Sequence, residues 1–181
     1  MSGHGGIILR HLITFNHFQI VPRALTNMDN PQTDTEFMGM KLKTPIMISP
    51  IACHGIAHKD AEVATQEGAA AAGALFSSST YANKSVEDIA SAASDAPRFF
   101  QLYLSKNWDF NKMVFDAVKK AGYKGIFLTV DALVSGYREA NLRTKFAYPV
   151  PLDFFTRYQG AKGEGQTVGP NVCSICTKDW P

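Results

Sequence analysis

Residues 98–131, RFFQLYLSKNWDFNKMVFDAVKKAGYKGIFLTVD, read as a strand, a helix and a second strand, and this unit sets the expectation for the whole chain. Arg98 to Leu102 is a short run dominated by apolar and aromatic residues. Asn107 to Ala121 then carries Phe110, Met113, Val114, Ala117 and Val118 at helical spacing on one face, and Gly122 stops it. Gly125 to Leu128 is the next apolar run. A crossover of this length joins parallel strands, whereas antiparallel neighbours need only a tight turn.

Toward the amino terminus the pattern repeats twice. Pro45 to Ser49, within PIMISP, precedes an alanine-rich helix expected over His58 to Ala72 and ended by Gly73. Ala74 to Ser78 precedes a helix over Ser85 to Ala93, where Ser85 and Asp88 stand three apart as a capping box requires. The four runs begin 24 to 29 residues apart. Four consecutive βα units predict an α/β fold of the TIM (β/α)8-barrel type. With 181 residues against the roughly 250 of a typical closed barrel, the expectation is an incomplete barrel of about four units. Residues 1–44 read as a lead-in, with an amphipathic Ile7 to Phe18 and short extended segments over Thr35 to Lys43. Residues 45–131 hold the four units. Residues 132–181, punctuated by Gly and Pro, read as an active-site loop region that stops before a fifth strand.

Composition narrows the function. The chain is 45% hydrophobic and 19% charged, ordinary values for a globular protein, with a net charge of +2. Its Lys and Arg are scattered, so the electrostatic footprint of a nucleic-acid binder is missing. No apolar stretch is long enough for a membrane span, and MSGHGGIILRHLITF does not read as a secretory signal, which points to a cytoplasmic address. Three cysteines, Cys53, Cys173 and Cys176, are expected to be reduced thiols.

Three short motifs fail on chemistry. GAKGEGQT, residues 160–167, nearly matches a phosphate loop but has Gln166 where the lysine belongs, and no strand precedes it. His54 and His58 stand four apart as in a zinc site, without the glutamate or a third ligand, so no metal is expected. Cys173 and Cys176 form a CxxC pair that nothing nearby completes.

The polar residues where the runs end are more informative. They are Pro50, Ile51 and Ala52 after the first run, Ser79 after the second, Gln101 with Tyr103 on the third, and Thr129 with Asp131 on the fourth. Barrels of this type place their chemistry at the carboxyl ends of the strands. Gln101 and Tyr103 alternate, so their side chains share a face, and Thr129 and Asp131 repeat that phase on the next strand. Such in-phase polar pairs on buried parallel strands mark a site. Arg138, seven residues past Asp131, has a guanidinium suited to hold a carboxylate, although taken alone a surface arginine is the commoner reading.

Together FNHFQIVPRAL, PIMISPIACHGIAH, FSSSTYANKSVEDI, PRFFQLYL and GIFLTVDALVSGYREANLRTKF resemble the FMN-dependent α-hydroxy-acid oxidase and dehydrogenase family, most strongly its bacterial lactate-oxidising members. The motifs run in order from Phe15 to Phe146. The resemblance implies FMN over the barrel mouth, with Pro50, Ile51 and Ala52 near its N5, Ser79 and Thr129 as further flavin contacts, and Gln101 at the pyrimidine edge. It implies that Tyr103 hydrogen-bonds the substrate, that Asp131 orients a catalytic histidine, and that Arg138 lies near the substrate carboxylate. The expected partners are a small L-2-hydroxy acid and oxygen.

The family's histidine base, its neighbouring arginine, its strand-five lysine and its phosphate-holding loops find no match, because His4, His11, His17, His54 and His58 all precede the third strand. The resemblance therefore implies the amino-terminal half of an oxidase, inactive alone and needing a carboxyl-terminal half. A non-catalytic half-barrel that binds flavin or a partner subunit, closed as a homo-oligomer, is the alternative. Other FMN barrels, of the type 2 isopentenyl-diphosphate isomerase or glutamate-synthase kind, share strand-end flavin contacts, but TVD followed by G-x-R speaks against them.

Overall fold

The structure, a computed structural model, describes residue 14 and residues 16–25, 29–104, 108–130 and 139–147. The chain divides into two compact units, Met1–Gln32 and Thr33–Pro181. In the first, the His17 N–H closes a turn on the Thr14 carbonyl at 3.0 Å. The second opens with an antiparallel hairpin, β1 (Thr35–Phe37) and β2 (Met40–Leu42), whose turn passes through Gly39 at φ +78°.

Four parallel strands follow in sequential order: β3 (Met47–Ile51), β4 (Leu75–Ser78), β5 (Arg98–Leu102) and β6 (Gly125–Leu128). Helices α1 (Ala61–Ala72), α2 (Val86–Ala92) and α3 (Trp108–Lys120) form the crossovers, and α4 (Glu139–Thr144) lies beyond. This is the order in which a (β/α)8 barrel adds its units.

Several details differ from the sequence reading. Strand β3 continues to Ile51, so Pro50 and Ile51 lie within it rather than after it. Between Ile48, opposite Phe76, and Ile51, opposite Ser78, β3 carries one residue more than β4. Pro50 has no N–H to give to a ladder, and a bulge accommodates it. Helix α1 starts at Ala61 instead of His58, because His54–Ile56 forms a separate 3-10 turn. In α3 the fully buried line is Asn111, Val114 and Val118, while Met113 is exposed. Met113 lies roughly 100° around the helix from Val114. Phe110, Phe115 and Ala117 pack at the margins.

Helix α2 is capped as the sequence suggests. The Ser85 hydroxyl oxygen accepts the Asp88 N–H at 3.1 Å and donates to the Asp88 carboxylate at 2.7 Å. Helix α1 ends at Gly73, whose φ of +67° lets its N–H reach the Ala69 and Ala70 carbonyls.

The sheet has two distinct faces. Phe76, Phe100 and Leu102 pack toward the helices against Ile89, Val86, Val114, Val118 and Tyr123. Leu75 and Phe99 face the other way and meet Leu42, with Phe37 and Met40, so the hairpin covers the amino-terminal end of this inner face. Phe99 also contacts Phe127 at 5.1 Å between ring centroids. Each buried Phe or Leu contributes about 1.5–3 kcal/mol, so both layers are substantial. Arg98 is buried and donates to the carbonyls of Ala93, Ala96, Ser94 and Ala121, tying the loop before β5 to the end of α3. The outer strand β6 leaves Ile126, Phe127 and Leu128 exposed. Among the described residues no helix is long and apolar enough to cross a membrane.

Candidate active site

The strand period carries the apolar floor of the inner face into a polar rim. Along β5, Phe99, Gln101 and Tyr103 alternate onto this face. Phe127 and Thr129 do the same from β6, and Leu75 and Ser79 from β4. The rim is held by the Gln101 side chain. Its Nε2 donates to the Thr129 hydroxyl at 2.8 Å, and its Oε1 accepts from the Thr80 N–H at 3.1 Å and the Ser79 hydroxyl at 3.3 Å. Because a backbone N–H can only donate, the amide oxygen must face Thr80, and the NH2 group must face Thr129. Ser79 in turn accepts the Tyr81 N–H at 3.1 Å. Gln101, Ser79 and Thr80 are buried and Thr129 is half-buried.

Tyr103 stands just past the end of β5, half-buried, with its ring 5.4 Å from that of Tyr81. Pro50 and Ile51 reach the same strand-end level on β3, and Ile51 and Ala52 are exposed. The structure thus brings Ser79, Gln101 and Thr129 into one hydrogen-bonded row, with Tyr103 beside it. Asp131 and Arg138 lie outside the described residues, as do residues 160–167, Cys173 and Cys176.

The loops behind the rim are fixed by a residue the sequence reading did not single out. Glu62, fully buried at the start of α1, accepts the N–H groups of His54 and Asn83 on Oε1 and of Lys84 on Oε2, each at 3.1 Å. It joins the segment after β3 to the segment after β4. Asn83 adds a 2.7 Å bond from the Gly55 N–H. Between them Cys53 adopts a left-handed φ of 59°, of the kind that costs about 1–3 kcal/mol unless its surroundings hold it. Its N–H donates to the Tyr81 carbonyl at 3.0 Å. Burial, and secondarily the Glu62 carboxylate, push the Cys53 thiol above its ordinary pKa.

The two candidate histidines stand in different surroundings. His54 bonds Thr65 through Nδ1 at 2.9 Å and lies edge-on to Phe76 on the helix side of the sheet, while His58 is exposed near Asp60. Among the described residues no cluster of His, Cys, Asp and Glu is placed to hold a metal ion. The rim is a set of neutral donors and acceptors, with one amide hydrogen of Gln101 beyond the one given to Thr129. That chemistry suits the alternating carbonyl and N–H edge of a neutral heterocycle such as the flavin pyrimidine.

Comparison with known proteins gives the same direction. Residues 7–171 match the family model for FMN-dependent dehydrogenase. The chain is 78% identical over 167 residues to an L-lactate oxidase of Lactobacillus jensenii, covering 92% of this chain and 41% of that protein. It is 36% identical to a 2-hydroxyacid oxidase 2 of Rattus norvegicus, over 75% of this chain and 38% of that protein. A solved structure from Pediococcus acidilactici, assigned as a lactate oxidase, superposes with a TM-score of 0.78 at 46% identity, covering 81% of this chain and 41% of that one. The chain thus spans about two fifths of the length of these relatives, and its sheet corresponds to part of their barrel. With most of this chain, residues 7–171, matched to the family model, and the strand-end rim in place, the chain belongs to the FMN-dependent dehydrogenase family.

Proposed function

We propose that this chain supplies the flavin-facing strand ends of an FMN-dependent oxidase of small L-2-hydroxy acids, lactate among them, which converts the hydroxy acid to the 2-keto acid and passes electrons to oxygen. The observation that carries the reading is the Gln101 amide, held in one orientation between Thr80 and Thr129 at the carboxyl ends of three adjacent strands. When bound, FMN supplies the electron sink for the substrate α-carbon. Ser79, Gln101 and Thr129 hold its pyrimidine edge, and Pro50, Ile51 and Ala52 line the side near N5. Tyr103 donates to the substrate, Arg138 holds its carboxylate, and Asp131 orients and stabilises a histidine that gains a proton. These roles come from the family resemblance.

The base itself comes from outside these 181 residues, as do the phosphate contacts. His54 is turned to the helix side by Thr65 and His58 is exposed, so neither suits the task. The isolated chain is accordingly inactive. Anaerobic L-lactate should bleach the visible absorbance of the FMN-loaded full gene product, and air should restore it. The same addition to the 181-residue chain should change nothing. Failure of the full gene product to respond to any small L-2-hydroxy acid sinks the proposal.

A second reading draws on the exposed apolar side chains of β6, Ile126, Phe127 and Leu128, with Val130 beyond them. A non-catalytic half-barrel uses such an edge to bind a partner subunit or a second copy. Stable dimers of the chain without turnover distinguish this reading.

A further inference from the structure

Thr80 stands where the pairing of β4 with β5 runs out. The last paired residues are Ser78 and Phe100. In a parallel ladder a residue bonds through its own N–H and C=O to the groups flanking the residue opposite, so a continued β4 places a backbone unit between the Gln101 carbonyl and the Tyr103 N–H. The chain has instead turned away through Thr80 and Tyr81. The Thr80 hydroxyl occupies the vacated role. It donates to the Gln101 carbonyl at 2.5 Å and accepts the Tyr103 N–H at 3.2 Å. One side-chain oxygen thus replaces both backbone groups, and the freed N–H of Thr80 turns to the Gln101 amide oxygen at 3.1 Å. Thr80 is buried, so no bulk water competes for these bonds.

We infer that Thr80 is a positioning residue for the substrate side of the site, its hydroxyl fixing the backbone from which Tyr103 projects while its N–H separately fixes the amide of Gln101. The inference rests on the flavin-dependent function proposed above. The two tasks are separable by substitution. Thr80→Val removes the hydroxyl and keeps the N–H, so it should disturb Tyr103 and spare the flavin contact. Thr80→Ser keeps both.

The test uses the full gene product. Thr80→Val should hold FMN within about twofold of the parent affinity while kcat/KM for L-lactate falls at least about tenfold, chiefly through KM. Amide hydrogen exchange at Tyr103 should quicken in Thr80→Val and return to the parent rate in Thr80→Ser. In a Tyr103→Phe background, Thr80→Val should bring little further loss, as expected of residues acting through one another. The inference is overturned by parent-like kinetics in Thr80→Val, by FMN affinity falling together with kcat/KM, or by an undiminished loss in the Tyr103→Phe background. Failure of both Thr80→Val and Thr80→Ala to fold also overturns it, because the hydroxyl then serves the fold alone. A parent protein that binds no FMN or oxidises no hydroxy acid defeats the proposed function and this inference with it. A working parent matched by Thr80→Val defeats only the inference.

Discussion

The Gln101 amide nitrogen donates to the Thr129 hydroxyl across 2.8 Å, joining the carboxyl ends of two neighbouring strands by their side chains. The phase of both strands puts the two side chains on one face, and the bond runs diagonally, since Gln101 stands opposite Phe127. Phe99 and Phe127, two residues earlier on each strand, meet as rings 5.1 Å apart. The same period that puts both rings on the inner face puts the polar pair on it above them, and both contacts run along the same diagonal.

Glu62→Gln tests the clamp behind the rim. An amide presents one acceptor oxygen, so the N–H of either Lys84 or the His54 and Asn83 pair loses its partner. Hydrogen bonds to a charged group contribute about 1.5–3 kcal/mol, and a loss of that order is expected in urea denaturation. An unchanged midpoint contradicts the clamp.

Gly125→Ala tests the floor. A Cβ at Gly125 lies 2.8 Å from the Phe99 ring edge, a separation no side chain tolerates, so the ring must move. Overpacking of this kind costs about 1–3 kcal/mol. The variant should melt lower and lose near-ultraviolet aromatic signal.

Tyr123 gives a pH dependence with a defined sign. Burial raises its phenol to about 12, partly offset by the Ser78 hydrogen bond and by Arg98. A raised folded pKa means that the folded state holds the proton longer than the unfolded chain. The stabilisation is therefore complete below the unfolded value of about 10 and is lost as pH rises toward 12. At about 1.4 kcal/mol per pH unit, the loss over this window is roughly 2–3 kcal/mol. Tyr123→Phe should flatten that part of the stability profile, and a profile unchanged by the substitution counts against the assignment.

The strands, the parallel order and the Ser85 cap were legible because period two, crossover length and cap spacing are local signals. That Gln101 and Thr129 share a face was legible for the same reason, whereas Ser79 was read only as the polar residue ending its run and through the family resemblance. Glu62 was not, since an acidic residue in the first turn of a helix ordinarily reads as solvated, and its burial depends on N–H groups of a loop some twenty residues away. Thr80 was hidden because its hydroxyl takes a backbone's place, a role that no spacing announces. Met113 in place of Asn111 as an inward residue shows the limit of apolar counting: a buried polar residue needs only a partner.

The most direct measurement of the central claim is the FMN dissociation constant of the full gene product and of its Gln101→Leu variant, taken by flavin fluorescence titration. If the strand-end row is the flavin site, the parent binds FMN and Gln101→Leu weakens it at least about tenfold, the order expected when buried polar partners are left unpaired. Equal affinities in a folded variant, or a parent that does not bind FMN, contradict the account.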